Sequence, residues 1–432
     1  MKDSYRVLLL GSGAREHAMA MAMDRSPLCS RLWVVPGNAG TEAWKAPEPV
    51  DWRDATAFTD FLLRHEVDFL VIGPEDPLVA GLVDRCKEEE ALKGLLVLGP
   101  GRAGAALEGS KDFSKSFMQK YGIPTAKATT YDASRRPEAE EVLRSAVYPL
   151  VLKADGLAAG KGVVVCQNAG EALETLDRCW SQRKFGDSGN KILFEHYLQG
   201  IELSVFVLCD GKDYVLLPEA KDYKRVGEGD TGPNTGGMGA VSPLPFVSRD
   251  WMHKIEERII RPTLKGLEAE GILYQGFLFV GLMKVGEDPM VIEYNVRMGD
   301  PETEVVLPRI QSDVLEGMIR AAMGHLSGWE CVVDRRTAVT TVVCSQGYPG
   351  DLTLGRPVQW SEPEAEGQFL FHAGTARNED AVVNKGGRVV AATALHEDPL
   401  EALKGSQVLA GGIVFEGAFY RKDIGLDLMK PV

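Results

Sequence analysis

The sequence predicts a chain of mixed α/β and α+β class that opens with a parallel sheet. Four apolar runs that end in glycine or proline lie in the first hundred residues, at 6–10, 32–35, 68–72 and 95–98. Helical patterns separate these runs, at 16–24, 56–65 and 79–90. Such alternation is typical of βαβ units with parallel strands. Sites in these sheets lie beyond the carboxyl ends of the strands, which here carry GSGAREHA, PGNAG, GPEDP and GPGRAG.

The pattern changes after about residue 104. We expect a helix at 111–121 and, from 149 to 165, two strands joined by a glycine loop. Further elements are expected as strands at 191–209, 214–218, 276–285 and 290–295, a long glycine-rich loop at 226–239 and a helix at 302–323. The last hundred residues predict short strands between turns, at 338–345, 368–372 and 388–394. These changes predict three domains, with boundaries near 104 and 330.

Size and charge limit the classes of function. The chain has 432 residues, which fits about three domains. Its formal charge is −14, because 62 acidic residues outnumber 48 basic ones. This balance argues against a nucleic-acid-binding protein, which would present a basic surface. Anionic small molecules stay open as ligands, because they need only a local positive pocket.

Cysteine usage and hydropathy predict a cytoplasmic protein. The seven cysteines are odd in number and include no C-x-x-C pair, which argues against a disulfide framework or a structural zinc site. The apolar run near the N-terminus is shorter than that of a secretory leader. No later run reaches the roughly 20 residues of a membrane span. We therefore expect reduced thiols and no membrane association.

The first glycine turn, at 11–13, follows a strand and opens a helix, as a dinucleotide-binding turn does. A dinucleotide site would need a third glycine where Glu16 stands, and an acidic residue after the second strand, which ends in Val35 and Pro36. The pattern therefore argues against NAD. The turn still offers backbone N–H groups to an anion, with Arg15 beside it. An ordinary strand-to-helix turn is the alternative interpretation.

A second glycine loop, KADGLAAGKG, lies between two predicted strands at 153–162. It is not a Walker A loop, because Gly162 stands where Ser or Thr would follow Lys161. A flexible loop of this kind can close over a nucleotide and supply N–H groups to phosphates. Lys153, at the end of an apolar strand, would point inward as a phosphate cation. A solvated hairpin is the alternative.

The segment VIEYN places Glu293 and Asn295 on one face of a strand. Two oxygen ligands on a rigid face, with Asp300 and Glu302 close behind, suit a hard cation such as Mg²⁺ that bridges ATP phosphates. Arg297 shares this face if the strand continues, and would hold a carboxylate or a developing phosphoryl charge. A solvated strand face would show the same pattern.

Two further acids, Glu195 and Glu202, flank a predicted hinge between strands. A glutamate at such a hinge can accept a hydrogen bond from an adenine amino group or from ribose hydroxyls.

Together these strings resemble the phosphoribosylamine–glycine ligase (glycinamide ribonucleotide synthetase) family, which are ATP-grasp enzymes of purine biosynthesis. The resemblance covers nearly the whole chain. Its strings are GSGAREHA at 11–18, GPEDPLVAG at 73–81, SKDFSKSFM at 110–118, KADGLAAGKGV at 153–163, DYKRVGEGDTGPNTGGMGAVSP at 222–243 and EYNVRMGDPETE at 293–304, with GYPGD, FHAGT, GGRVV and YRKDIG in the tail. GPNTGGMGA and RMGDPETE are the most specific of them.

The resemblance implies an ATP-grasp fold in three parts. An N-terminal parallel α/β (pre-ATP-grasp) domain would span 1–104, an ATP-grasp domain 105–330 with a lid at about 124–195, and a C-terminal β-rich domain 331–432. The implied reaction joins glycine to 5-phosphoribosylamine and gives glycinamide ribonucleotide, ADP and phosphate through a glycyl phosphate. ATP would be the co-substrate and Mg²⁺ or Mn²⁺ the metal. The protein would be a monomer or a homodimer.

The same resemblance assigns residues to these ligands. Catalysis would depend on Arg297 and Lys153, and the metal on Glu293 and Asn295. ATP would contact Lys111, Lys153, Gly160, Lys161, Gly162, Glu195, Leu198 and Glu202. The other substrates would contact Gly13, Arg15, Glu16, Gly73, Pro74, Glu75, Asp222, Lys224, Arg225, Asn234, Thr235, Gly236, Gly237, Arg297, Gly299 and Asp300.

Some positions depart from the usual pattern of the family. They are Ser12 and Ala14 where Asn and Gly are common, His196 and Ile201 where Glu is common, and Tyr223 in place of a His. The stretch 273–285 also contains no acid, although ATP-grasp relatives often offer one more metal ligand there. Two alternatives stay open, namely another ATP-grasp carboxylate–amine ligase and a non-catalytic nucleotide-binding regulator.

Overall fold

The computed structural model describes residues 1–157, 162–379 and 381–429, and the chain begins with a four-stranded parallel sheet. Its strands are β1 (Tyr5–Gly11), β2 (Cys29–Pro36), β3 (Phe69–Ile72) and β4 (Leu96–Leu98), in the order β2-β1-β3-β4. The helices are α1 (Ala14–Asp24), α2 (Ala55–Arg64), α3 (Glu75–Val79), α4 (Leu82–Glu88), α5 (Arg102–Gly109) and α6 (Lys111–Lys120). Val7, Leu8 and Leu9 of β1 are fully buried, as in a strand covered on both faces. The predicted parallel sheet is confirmed.

One helix of this part differs from the prediction. The expected helix at 79–90 is two helices, α3 and α4, and the first begins as early as Glu75. Gly81 separates them with a φ of 83°, which a right-handed helix cannot contain.

A small antiparallel sheet with its own apolar core follows. Its strands are β5 (Ala128–Asp132), β6 (Leu150–Ala154), β7 (Val163–Cys166) and β8 (Lys191–His196), in the order β5-β8-β6-β7. Two helices that sequence reasoning missed pack with it, α7 (Arg136–Ser145) and α8 (Ala169–Trp180). This unit fills most of the segment expected as a lid, whose movement stays a prediction.

A larger antiparallel sheet carries the second half of the central region. Its strands are β9 (Ile201–Asp210), β10 (Tyr214–Leu216), β15 (Gln275–Val285) and β16 (Asp288–Asn295), in the order β10-β9-β15-β16. The helices of this region are α9 (Arg249–Ile255), α10 (Arg261–Ala269), α11 (Thr303–Val306) and α12 (Val314–Met323). The strand region expected at 191–209, with its hinge, is the pair β8 and β9, which belong to different sheets.

The C-terminal region is built on a five-stranded sheet that takes two strands from the central region. Its strands are β11 (Lys221–Asp222), β14 (Gly239–Ser242), β17 (Thr337–Cys344), β18 (Gln368–His372) and β21 (Arg388–His396), in the order β11-β14-β17-β21-β18. A two-stranded ribbon, β19 (Thr375–Asn378) with β20 (Ala381–Asn384), and the helix α13 (Pro399–Gly411) complete it. The β-rich character is confirmed, although α13 was not predicted.

Two other expectations are corrected. The loop expected at 226–239 contains a ribbon of β12 (Arg225–Gly227) and β13 (Thr231–Asn234), closed by Gly229 and Asp230, which both have positive φ. The helix expected at 302–323 is broken between α11 and α12, because Pro308 lies in a short 3₁₀ turn between them.

One apolar core joins the N-terminal and C-terminal parts. Met19 of α1, Phe279 of β15 and Val342 of β17 are buried in the same cluster. Among the residues described, no helix has both the length and the hydropathy needed to cross a membrane. The residues that follow β1 and β3 contact those that follow β16, because Arg15 donates to the Met298 carbonyl and Arg297 donates to Glu75.

Candidate active site

The first glycine turn holds Arg15 through an internal hydrogen-bond network. Glu16 accepts from the backbone N–H of Gly13 at 2.7 Å and from Arg15 Nε at 2.5 Å. Arg15 Nη1 also donates to the Met298 carbonyl at 3.1 Å. Glu16 is 2% exposed, and a Cβ on Gly73 would lie 2.2 Å from its Oε1. Glu16 thus positions Arg15 rather than facing the solvent, and Gly73 leaves room for it.

Arg297 is held at the end of β16 by two acids from the N-terminal part. Its Nε lies 3.2 Å from Glu75 Oε2, and its Nη2 lies 2.9 Å from Glu108 Oε1. The second oxygen of Glu108 accepts from the Val296 N–H at 2.8 Å. Burial raises the pKa of Glu108 to about 7, although Arg297 opposes the rise. Arg297 Nη2 also lies 3.4 Å from Asn295 Oδ1, so these side chains share one face.

Two buried lysines share the carboxylate of Glu195. Lys153 Nζ lies 2.8 Å from Oε1 and Lys115 Nζ lies 2.8 Å from Oε2. Lys153 Nζ also donates to the Ile292 carbonyl at 3.3 Å, beside Glu293. Lys153 and Glu195 meet because they are diagonal neighbours on the paired strands β6 and β8.

Lys111 joins α6 to the start of the second glycine loop. Its Nζ donates to the Gly156 carbonyl at 3.0 Å, and Asp155 Oδ1 accepts from the Asp112 N–H at 2.8 Å. Burial lowers the pKa of Lys111, partly against the pull of Glu293. Because Lys111 and Lys115 are four residues apart on one helix, they share a face.

Two further predicted ATP contacts, Gly162 and Leu198, lie within the described residues. The Gly162 carbonyl accepts from the Ala154 N–H at 2.8 Å, which closes the base of the loop. Leu198 lies partly buried between β8 and β9. Gly160 and Lys161 were also predicted to bind ATP, and they lie outside the described residues.

Glu293 is an ionised carboxylate that faces several cations. Burial opposes ionisation, but Lys224, Lys153 and Lys111 lower the pKa of Glu293 below its ordinary value. No hydrogen bond or ion pair to its carboxylate is made within the described part of the chain. With the amide oxygen of Asn295, it offers the oxygen ligands that Mg²⁺ prefers. The chemistry of these donors therefore fits a divalent metal.

A second group of acids surrounds Lys224. Lys224 forms an ion pair with Glu202, which was predicted to bind ATP. Burial raises the pKa of Asp222 to about 8, and Glu302 adds to the rise while Lys224 opposes it. Glu302 accepts from Ser204 Oγ at 3.1 Å. Asp222 and Lys224, both predicted to bind substrate, therefore lie together beside Glu293.

The C-terminal region holds the segment 235–237 through hydrogen bonds to Gly236. The Gly236 N–H donates to Tyr348 Oη at 2.9 Å, and the Gly236 carbonyl accepts from Arg388 Nη1 at 2.8 Å. The same Nη1 lies 2.9 Å from Asp300 Oδ1. The other oxygen of Asp300 would lie 3.0 Å from a Cβ on Gly13, so Asp300 joins three distant segments.

The ribbon places two predicted substrate residues away from this junction. Arg225 Nη1 donates to the Gly232 carbonyl within the ribbon at 2.7 Å. Asn234 is exposed. Their contact with substrate stays a prediction.

The remaining predicted substrate residues belong to the turns of this junction. Pro74 precedes α3, and Thr235 Oγ1 accepts from the Gly237 N–H at 3.0 Å. The Gly299 carbonyl accepts from Thr303 Oγ1 at 2.5 Å. These residues shape the turns around Arg297 and Asp300.

A cavity of about 390 Å³ opens between the first glycine turn and the C-terminal region. Among its lining residues are Ser12, Asn38, Lys45, Gly374, Arg377 and Lys385. Asn38 Nδ2 closes one side by donating to the Ser12 carbonyl at 2.9 Å and the His372 carbonyl at 2.7 Å. Its charged lining residues are three cations and one acid, Glu42, so its net charge is positive and suits an anion.

Sequence reasoning missed Glu108, Lys115, Tyr348 and Arg388. The spacing of Lys111 and Lys115 was a usable signal for one of them, because residues i and i+4 share a helix face. The other contacts join segments far apart in the chain.

Comparison with known proteins gives matches along almost the whole chain. Family models described as phosphoribosylglycinamide synthetase match as its N domain at 5–108, its ATP-grasp (A) domain at 109–303 and its C domain at 338–427. A protein named phosphoribosylamine–glycine ligase from Chlorobaculum tepidum is 44% identical over 427 residues, and the match covers 97% of this chain and 99% of that protein.

Solved structures agree with these matches. A crystal structure of phosphoribosylamine–glycine ligase from Thermotoga maritima has a TM-score of 0.84 at 34% identity, and covers 97% of this chain and 100% of that one. The biotin carboxylase domain of 2-oxoglutarate carboxylase from Hydrogenobacter thermophilus has a TM-score of 0.75 at 16% identity, and covers 100% of this chain and 95% of that one. At that identity the second match shows the fold alone, which is the predicted ATP-grasp fold.

Proposed function

The chain belongs to the phosphoribosylglycinamide synthetase family, and we propose that the cleft around Gly13, Lys153 and Glu293 is its active site. The protein is an ATP-dependent ligase that joins glycine to 5-phosphoribosylamine in purine biosynthesis. The carrying observation is that two cations reach the end of β16 on either side of Glu293, because Lys153 Nζ lies 3.3 Å from the Ile292 carbonyl and Arg297 Nη2 lies 3.4 Å from Asn295 Oδ1.

The reaction needs an activated carboxylate. A free carboxylate is a poor acylating agent, because hydroxide would have to leave. Transfer of the γ-phosphoryl group of ATP to a glycine carboxylate oxygen gives glycyl phosphate and ADP. The amine of phosphoribosylamine then attacks the carbonyl carbon, phosphate leaves, and the amine loses a proton. The protein supplies position and charge, which are the main requirements of phosphoryl transfer.

We assign the cations to the phosphoryl step. Lys153 and Lys111 would neutralise the phosphates of ATP, and Arg297 would hold the glycine carboxylate or the developing phosphoryl charge. Glu75 and Glu108 keep the Arg297 guanidinium in one orientation, which preorganises it. The loop that contains Lys161 would exclude water from the acyl phosphate.

The family requires a divalent metal, and we propose that Glu293 and Asn295 hold Mg²⁺ or Mn²⁺. When bound, the metal would neutralise charge on the ATP phosphates. Glu293 suits this role because neighbouring cations lower the pKa of its carboxyl, and its carboxylate makes no hydrogen bond or ion pair among the described residues.

We place phosphoribosylamine between the first glycine turn and the C-terminal region. The cavity there offers Lys45, Arg377 and Lys385 to a phosphate. The acids near Lys224 would receive the ammonium group of glycine, because a desolvated ammonium needs carboxylate partners and its charge would favour the ionised form of Asp222.

Location and assembly stay proposals. All seven cysteines are free thiols, which supports the cytoplasm, where thiols stay reduced. The small-molecule substrates need no macromolecular partner, and we expect a monomer or a homodimer. The domain extents 1–104, 105–330 and 331–432 also stay predictions.

A direct test is ADP release measured with substrates omitted in turn. We expect ADP only when glycine and phosphoribosylamine are both present, and a sharp fall when alanine or valine replaces glycine. Because the assay varies the carboxylate and the amine separately, it also tests the alternative of another carboxylate–amine ligase. Equal turnover with alanine would contradict the glycine assignment, and absence of turnover with intact ATP binding would favour a nucleotide-binding regulator.

A further inference from the structure

Lys115 is a buried lysine of α6 that the proposed mechanism does not use. Its side chain is 7% exposed, and its Nζ lies 2.8 Å from Glu195 Oε2. That oxygen accepts no hydrogen bond from the described residues, so the ion pair with Lys115 compensates its burial. An ammonium removed from water also needs partners. Lys115 and this half of the carboxylate therefore depend on each other.

The same ammonium is fixed from a second side. Lys115 Nζ donates to Thr125 Oγ1 at 2.5 Å and to the Ala126 carbonyl at 3.2 Å. Thr125 Oγ1 in turn donates to the Val291 carbonyl at 2.7 Å. Val291 lies on β16, two residues before Glu293. Lys115 thus lies where the chain enters the small sheet, and it is tied to the strand that carries Glu293.

Lys153 holds the other half of the same carboxylate. The proposed function assigns Lys153 to the phosphates of ATP, and a phosphate competes with Glu195 for that ammonium. Hydrogen bonds between ammonium and phosphate are strong, so the Lys153–Glu195 pair weakens when nucleotide binds. Lys115 is also held by Thr125 and Ala126, in contacts that do not involve the nucleotide. The ion pair between Lys115 and Glu195 therefore remains when Lys153 moves from Glu195 to the phosphates.

We propose that Lys115 is a positioning residue that fixes the Glu195 carboxylate for recognition of the adenine amino group, independently of Lys153. This inference rests on the proposed function, in which Glu195 accepts from the nucleotide. Adenine presents an amino donor at the position where guanine presents a carbonyl oxygen. A fixed carboxylate accepts from the first and repels the second, so Lys115 acts on nucleotide affinity and on the choice between ATP and GTP.

The test uses three variants of the full-length protein. Lys115→Met removes the charge at similar length, and Lys115→Arg retains it. Lys120→Met is the matched control, because Lys120 lies on the same helix, is 61% exposed and pairs with Glu270 at the surface. Each variant is compared with wild type in steady-state kinetics, in ATP and GTP binding by calorimetry, and in thermal unfolding.

We expect Lys115→Met to raise the KM for ATP about 10-fold or more, while kcat at saturating ATP stays within about 3-fold, because binding is lost equally in the ground and transition states. The preference for ATP over GTP should fall, and the KM for glycine should stay unchanged. Lys115→Arg should recover most of the affinity, and Lys120→Met should match wild type.

Two results would overturn the inference. One is an unchanged KM for ATP and an unchanged ATP preference in Lys115→Met. The other is an equal loss in every kinetic constant with a lower Tm and no recovery by Lys115→Arg, which would mean a structural role only. Nucleotide binding by calorimetry needs no turnover. A wild-type protein that binds ATP but joins no glycine would therefore contradict the proposed function while still testing Lys115.

Discussion

At the scale of single residues, Glu293 is the group on which most cations of the site act. Replacement by Gln keeps the size and removes the negative charge. We expect Glu293→Gln to lower turnover by at least about 100-fold. Loss of a residue that only supports a metal ligand already costs about 10- to 100-fold, and Glu293 would be a ligand itself. Weaker metal binding is the physical cause, so a titration with Mg²⁺ should recover part of the activity.

Two further variants test whether this effect is specific to the proposed metal ligands. Asn295→Asp retains an oxygen ligand and adds charge, so it should reduce activity less and shift preference toward Mn²⁺. Glu287→Gln removes an equal charge from the turn between β15 and β16, where the side chain is 85% exposed, and should leave the titration unchanged. Wild-type Mg²⁺ titrations in both Glu293→Gln and Asn295→Asp would remove the metal assignment.

Glu304 shows how burial of one carboxyl couples stability to pH. It is fully buried, and neither of its oxygens has a hydrogen-bond partner among the described residues. Burial, and then the charge of Asp300, raise the pKa of Glu304 well above its ordinary value of 4.5. The folded protein therefore keeps a proton that the unfolded chain releases above about pH 4.5. Because the unfolded state binds fewer protons, this group makes stability fall as pH rises.

Glu304→Gln should remove that dependence. A neutral amide cannot ionise, so the variant should gain stability relative to wild type as pH rises from about 5 to about 8. Thermal unfolding at several pH values measures this difference. Parallel curves for variant and wild type would mean that the Glu304 proton does not couple to folding.

At the scale of elements, the turn between β3 and α3 depends on the absence of a side chain at Gly73. A Cβ there would lie 2.2 Å from Glu16 Oε1, and Glu16 holds Arg15. We expect Gly73→Ala to displace Glu16 and to raise the KM for phosphoribosylamine by about 10-fold. ATP binding should be unchanged, because the nucleotide side does not use this turn.

Gly170→Ala is the control for this turn. Gly170 lies in the first turn of α8, where an added Cβ would meet only Asn168 Oδ1 at 3.2 Å. Alanine also has the higher helix propensity. The variant should show normal kinetics and an equal or higher Tm. An altered KM for ATP in Gly73→Ala, with that for phosphoribosylamine unchanged, would mean that the sugar phosphate has been placed in the wrong part of the cleft.

Local patterns predicted the elements unevenly. The alternation of the first hundred residues gave the parallel sheet, because buried parallel strands are continuous apolar runs. Breaks inside elements were missed where one residue decides, as at Gly81 and Pro308. The helix α13 was also missed, since the C-terminal region was interpreted from its strands and turns alone. Single residues that break an element therefore limited the prediction more than hydrophobic periodicity did.

At the scale of the whole molecule, the site is made by segments that no local pattern connects. Glu108 and Arg297 are 189 residues apart, and Arg388 and Gly236 are 152 apart. The sequence identified many predicted ligands through strings of neighbouring residues. It could not identify the residues that hold them, because those contacts follow from how the sheets pack. The shared core of the N-terminal and C-terminal parts fixes this packing.

Arg388 is the C-terminal residue that should affect substrate binding most. Its Nη1 holds Gly236 and Asp300 together, and Asp300 lies against the first glycine turn. We expect Arg388→Met to raise the KM for phosphoribosylamine by about 10- to 100-fold, because charge-assisted hydrogen bonds are lost. ATP affinity measured by calorimetry should stay unchanged, and Arg388→Lys should recover part of the loss.

The control for Arg388 comes from the same region. Arg356 pairs with Glu416 and its side chain is 43% exposed, so Arg356→Met should leave all three KM values unchanged. If Arg388→Met weakened ATP and phosphoribosylamine equally, the C-terminal region would act on the whole cleft. If neither constant changed, the Gly236–Asp300 junction would not need this guanidinium. Only a selective loss for phosphoribosylamine agrees with a substrate site closed jointly by the first glycine turn, Asp300 and the C-terminal sheet.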